Sequence, residues 1–355
     1  MTSFVPEALP VLIGSLPFSN HAEAANLIFE YTPDIPLWSQ LPRNKNEGML
    51  LQFLPGLPGV TENEDNVYIN LENADFEAEL LTFFEDYLMI TEGGAALEDS
   101  RFAMSAHEAG GFFTFLTSAR KHQAQLVALK GQLTGPITFC TGLVDQDGRA
   151  LYYNEQMRDA ALKLLALKAR WQTMKMAEIK ENPLIFFDEP GLAGFGSSAF
   201  ITITEDDVKA CFSEVCQAVH DEGGLAGVHV CANTEWSILF DSPVDIISFD
   251  AYSYFDKLIL YPQHLVSFFE RAGIIASGII PTAPEFIASE TAEALAEKWF
   301  EQSAQIEKLG VSAKTLFEQT LITPSCGTGT LSEAEALRVL ELTRDVSAII
   351  RSKCM

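Results

Sequence analysis

Eight short apolar runs, each followed by a polar or helix-forming stretch, set the strongest limit on what this chain can fold into. They fall at residues 11–15, 35–38, 126–131, 184–188, 225–231, 245–250, 274–278 and 321–324. Near-continuous apolar runs this short suit parallel strands buried on both faces. The stretches between them read as helices. Residues 157–179 are rich in Ala, Leu, Lys and Met; Thr204 precedes three acidic residues; and Ser332-Glu333-Ala334-Glu335 is a capping box. Eight such alternations predict an α/β fold, a (β/α)8 TIM barrel ahead of an open doubly wound sheet. No internal repeat or Gly/Ser linker divides the chain, so residues 1–355 are expected to form one catalytic domain.

The connection between the second and third runs, residues 44–125, is far longer than a bare βα loop. It holds a Pro/Gly-rich turn, Leu54-Pro55-Gly56-Leu57-Pro58-Gly59, and amphipathic material over 76–88 and 103–122. A long insertion on the catalytic side of a barrel is a candidate lid; a packing excursion is the other reading.

Charge excludes two classes of partner. With 23 basic against 49 acidic side chains the formal charge is -26, which repels phosphate backbones and anionic lipid headgroups. Neither nucleic acid nor a membrane is expected to be a partner. The amino terminus has no basic n-region or long apolar stretch, and six cysteines without a dense framework fit a reducing compartment, so the expected location is cytoplasmic.

The chemistry lies at the ends of the later runs. Residues two apart on a strand share a face, so His229 and Cys231 can converge on one ion. Asp250 closes the next run and Cys326 follows the last, which puts all four on the rim where barrel enzymes react. Two sulfurs and an imidazole suit zinc, whereas magnesium and calcium prefer oxygen. Bland readings stand beside this one: a strand-end cysteine is often a small buried hydrophobe, and Asp250 can cap the turn that follows it. Cys216 and His220, four apart on a predicted helix, form a competing pair. Cys140, Cys211 and Cys354 carry no partner pattern, and neither do His21, His107, His122 and His264.

Five motifs occur in an order that resembles a known family. They are Gly14-Ser15, Leu133-Thr134-Gly135-Pro136-Ile137-Thr138, Phe187-Asp188-Glu189-Pro190, His229-Val230-Cys231 and Pro324-Ser325-Cys326-Gly327. The family is the catalytic half of cobalamin-independent methionine synthase. Its superfamily includes uroporphyrinogen decarboxylase and methylcobalamin:coenzyme M methyltransferases. The resemblance implies Zn2+-dependent transfer of a methyl group to a small thiol, with His229, Cys231 and Cys326 as metal ligands. Asp250 falls where the family carries a glutamate ligand. Ser15 and Asp188 match positions that hold the amino-acid part of homocysteine, and Asp188 is the candidate catalytic residue. An ammonium partner for Asp188 favours homocysteine over a coenzyme M-like thiol.

The departures bear on the methyl donor. The folate-dependent enzyme protonates its leaving group with a histidine near the seventh strand, whereas residues 278–284 here contain none. A methylated corrinoid needs no such acid. The expected donor is therefore a methylcorrinoid, free or presented by a carrier protein. Two further readings fit the same residues: a uroporphyrinogen-decarboxylase-like lyase, and a non-enzymatic zinc-binding adaptor with a saturated site. Gly327-Thr328-Gly329-Thr330 could form an anion nest or a simple turn, and Arg43 could grip an anion or lie at the surface.

Overall fold

A computed structural model describes residues 4–63, 66–196 and 202–355. Its centre is a parallel six-stranded sheet. An antiparallel hairpin precedes it, β1 (Val60–Asn63) with β2 (Asn66–Ile69). The sheet runs in sequence order through β3 (Lys130–Thr134), β4 (Leu184–Asp188), β5 (Leu225–Val230), β6 (Ile246–Phe249), β7 (Ile274–Ile280) and β8 (Thr320–Pro324). Helices connect each strand to the next. Among the described residues, no helix is long and apolar enough to cross a membrane.

Period-two alternation sorts the strand side chains into two cores. Leu184 and Phe186 of β4 join Leu9, Val11, Ile246 and Leu321 in a cluster inside the curved sheet. Ile185 and Phe187 face the other way, into the cluster shared with the surrounding helices. Each such side chain is fully buried and contributes roughly 1.5–3 kcal/mol. Phe186 has room because Gly227 stands opposite: a Cβ there would lie 2.6 Å from the ring.

Two of the eight expected strands do not form ladders. Segment 11–15 meets β8 through the isolated bridge Pro10↔Ile322, and meets segment 35–40 through Ser15↔Gln40. That second segment meets β3 through Leu37↔Lys130. Backbone hydrogen bonds flank each bridge, including Val11 N to Ile322 O (2.9 Å), Leu16 N to Gln40 O (3.0 Å) and Lys130 N to Pro36 O (3.0 Å). Prolines at positions 10 and 36 have no amide hydrogen to donate, which thins the pairing to single bridges. The third strand is also displaced, from 126–131 to Lys130–Thr134. The amides of Val127 and Ala128 are spent on the Asp34 carbonyl, and the ladder begins where Lys130 meets Leu184.

The 44–125 insertion is mostly packing. Its hairpin, which the sequence reading did not anticipate, is tied down by Ile69 N to Val144 O at 2.9 Å. Its helices Phe76–Thr91 and Gly110–His122 bury aromatic rings, with Phe83 against Phe102 (5.3 Å between centroids) and Phe112 against Trp171 of the Glu155–Ala177 helix (5.1 Å). Only Glu47, Gly48 and Met49, at its start, line the cavity described next.

Candidate metal centre

A cavity of ≈ 320 Å³ opens at the carboxyl ends of the strands. His229 on β5, Cys231 just beyond it and Cys326 just beyond β8 line its wall together. One ligand atom from each of these three lies within 4.8 Å of the others, and they are the only such His/Cys/acid group among the described residues. The alternation of β5 turns His229 and Cys231 the same way. Cys326 is set by its neighbours: Ser325 N donates to Ile280 O (2.8 Å) and Thr328 N to Ser15 O (2.9 Å).

The imidazole is aimed. His229 is buried, and its Nδ1 lies 2.9 Å from Ser248 Oγ on β6. Its Nε2 is buried without a protein partner. Leaving such an atom unpaired costs about 1–3 kcal/mol, so this one is held for something outside the chain. The two thiols shift in opposite directions: contact with Cys326 and the neighbouring His229 pulls the Cys231 thiol below its ordinary range, and the same contact with Cys231, together with burial, pushes Cys326 up. An unpartnered nitrogen beside two sulfurs is a donor set that fits zinc.

Asp188, the last residue of β4, lines the cavity with Oδ1 buried and unpartnered. Burial pushes its carboxyl up to about 6, against the opposing charges of His229 and Lys130. Ser15 also lines the cavity, and its Oγ accepts from Gly329 N at 3.2 Å. Gly327 permits this approach, since a Cβ there would lie 2.3 Å from Ser15 Oγ. Segment 327–330 is thus a strap bound to Ser15. Asp250 stands apart from the three-residue group. It caps the helix Ala251–Leu258, its Oδ1 accepting from Ser253 N at 2.8 Å.

Glu189 points away from the cavity chemistry. Its carboxylate accepts from the amides of Ile137 and Thr138 (2.8 Å each) and from Thr138 Oγ1 (2.6 Å), holding the start of the helix Pro136–Gly142. Burial pushes it up to about 7. Cys216 is buried, while His220 Nε2 lies 2.7 Å from Asp245 Oδ2, so the competing helical pair makes no metal group. Cys140 and Cys211 are core residues and Cys354 is exposed. Arg43 is spent on an exposed ion pair with Glu333 at 2.6 Å.

Sequence reading passed over several residues that shape the site. Gln40 and Glu47 line the cavity; Glu47 is pinned by His21 (2.8 Å) and by Leu41 N (2.8 Å). Lys130, fully buried beneath the cavity, donates from Nζ to the Ile13 carbonyl and sits 4.4 Å from the centre of the Phe186 ring. Burial lowers its ammonium to about 8, with Asp188 acting in the opposite direction. A charged or hydroxyl residue inside a doubly buried strand, such as Lys130 or Ser248, was the available signal, because such groups are kept only with partners.

A larger depression of ≈ 610 Å³ lies between Ser213 and Arg271, away from the thiols. Its two basic side chains are engaged: Arg271 with the carbonyls of Phe240, Ser242 and Val244, and His264 with Asp241. The smaller cavity, with the His229, Cys231 and Cys326 group in its wall, is the candidate site.

No family model matches this chain, and no curated protein does. Among solved structures, a methyltransferase from Methanosarcina mazei aligns over 97% of this chain and 94% of its own, with 13% identity and a TM-score of 0.56. A B12-independent methionine synthase from Shewanella sp. W3-18-1 aligns over 67% of each chain, with 21% identity and a TM-score of 0.46. Pneumococcal StrH aligns over 97% of this chain and 84% of its own, with 9% identity and a TM-score of 0.47. The likeness that extends along both chains, to the Methanosarcina protein, is one of fold.

Proposed function

We propose that this chain is a zinc-dependent S-methyltransferase, built as a single (β/α)8 barrel whose first two staves are joined by bridges instead of ladders. Its acceptor is a small thiol, homocysteine before coenzyme M-like thiols, and its donor a methylcorrinoid, free or on a carrier protein. The observation that carries the reading is the unpartnered His229 Nε2 beside Cys231 and Cys326 in a cavity wall that also exposes Asp188. Bound zinc would supply the Lewis acidity that keeps an incoming thiol, ordinarily protonated at neutral pH, in its thiolate form. Asp188 offers its free carboxylate oxygen to the acceptor's ammonium, and Ser15, fixed by Gly329, borders the place for its carboxylate. These contacts orient the sulfur for in-line attack. The S–CH3 bond forms as the carbon–cobalt bond breaks, and that electron pair stays with the corrinoid, so no acid is required at residues 278–284.

Two observations weigh against the competing readings. Among the described residues, no arginine or lysine lines the cavity, so a polycarboxylate of the uroporphyrinogen type would find no counter-charge in its wall. A saturated structural site needs four protein ligands, and among the described residues three side chains converge. The test is methyl transfer from methylcobalamin by zinc-loaded protein, with homocysteine, coenzyme M and other thiols in parallel. Methionine should form with homocysteine and stop on chelation; no methylated product from any thiol defeats the proposal.

A further inference from the structure

We infer that β6 supplies no ligand to the metal: Ser248 aims His229, Asp250 caps a helix, and three side chains hold the ion. This rests on the zinc reading above. Asp250 occupies the place where the resembling family carries a ligand, yet its Oδ1 is committed to the cap of the following helix, and it lies outside the group of three ligand atoms. Oδ1 accepts from Ser253 N at 2.8 Å, and the Asp250 carbonyl accepts from Tyr254 N at 2.9 Å, the two bonds that start the helix Ala251–Leu258. Moving the carboxylate to the sulfurs would strip that helix of its cap, and aspartate is one methylene shorter than the glutamate it replaces.

Ser248 is the residue of β6 that serves the metal. It is fully buried, two residues before Asp250, with Oγ 2.9 Å from His229 Nδ1. That contact fixes the ring so that Nε2 is presented to the cluster, the part an outer hydrogen-bond partner plays at most histidine metal sites. Ser248 is thus a positioning residue. With Asp250 withheld, the metal keeps positions for exchangeable groups, as a reactive site requires and a structural one does not.

Metal affinity tests this without reference to turnover. Zinc is titrated against a chromophoric chelator and the absorption spectrum of the cobalt(II)-loaded protein is recorded, for wild type, Asp250→Asn, Asp250→Ala, Ser248→Ala and Ser248→Thr. Asparagine caps as aspartate does but offers no anionic ligand, so Asp250→Asn should hold zinc within about threefold of wild type and keep the cobalt spectrum. Asp250→Ala should lower the melting temperature and still bind zinc. Ser248→Ala should weaken zinc by roughly 10–100-fold and shift the cobalt spectrum, with a modest fall in melting temperature from the unpaired Nδ1, and Ser248→Thr should restore both metal readouts. Zinc lost by Asp250→Asn, or unaffected by Ser248→Ala, overturns the inference and leaves the zinc reading intact. A wild-type protein that takes up neither metal overturns both.

Discussion

The same strands build two unlike regions, an apolar floor and a polar mouth, only one alternation apart. On β4 the inward residues run Leu184, Phe186, Asp188, and on β6 Ile246 gives way to Ser248. The floor is held by burial of apolar surface with every neighbour satisfied. Above the floor sit buried atoms with no protein partner: Asp188 Oδ1 and His229 Nε2 in the cavity wall, and Gln132 Oε1 and Thr323 Oγ1 on the strands beside it. Each of these lowers stability, and the floor beneath offsets them. The difference singles out the cavity wall as a candidate site, since a buried group without a protein partner is one that an outside ligand can complete.

Three substitutions probe that contrast, from the largest effect to the smallest. Phe186→Ala strikes the floor and should cost about 3–5 kcal/mol in urea unfolding, with zinc still bound. A cost below about 1 kcal/mol would mean that the interior is not one packed layer. Lys130→Met acts at the boundary. The buried lysine titrates near 8 instead of its ordinary 10.5, so between those values the unfolded chain holds more protons and stability rises with pH. The penalty is full below about pH 8 and gone above 10.5, on the order of 3 kcal/mol. Removing the ammonium should flatten this slope in unfolding curves taken from pH 7 to 11; an unchanged slope would place the titration elsewhere. Thr323→Val, on a strand beside the cavity, replaces an unpartnered hydroxyl by a methyl of like shape. It should stabilise by about 1 kcal/mol without changing zinc affinity, and a loss of stability would reveal a hidden partner.

Most of the fold was legible because burial on two faces leaves a plain mark. The run 184–188 coincides with β4, and the runs near 225, 246, 274 and 321 lie on β5 to β8 within a residue or two at their ends. Both anticipated capping devices formed, Thr204 with Asp207 and Ser332 with Glu335. The first two runs misled because apolar content does not reveal which amides are missing, and prolines 10 and 36 remove them. β3 misled because its inward residues, Lys130, Gln132 and Thr134, are polar, so the apolar stretch stops where the strand begins. The hairpin of β1 and β2 left no mark, since Ile69 alone of its strand residues is buried and no alternating apolar face results. In the site, period two along β5 pairs His229 with Cys231. Nothing in the local pattern distinguishes a capping Asp250 from a ligating one, because both follow an apolar run, and Gln40 and Glu47 reach the cavity through tertiary packing alone.

The strap between Ser15 and Gly329 also sets when the site can exist. Its hydrogen bond joins positions 314 apart in the chain, and such distant closures come late because the entropy of bringing the ends together is lost before any contact repays it. During synthesis, His229 and Cys231 leave the ribosome well before Cys326. Until β8 docks, Cys231 stands without its sulfur partner, and under the zinc reading proposed above a metal captured in that interval would meet an incomplete set. Docking of β8 and assembly of the His229, Cys231 and Cys326 group therefore coincide.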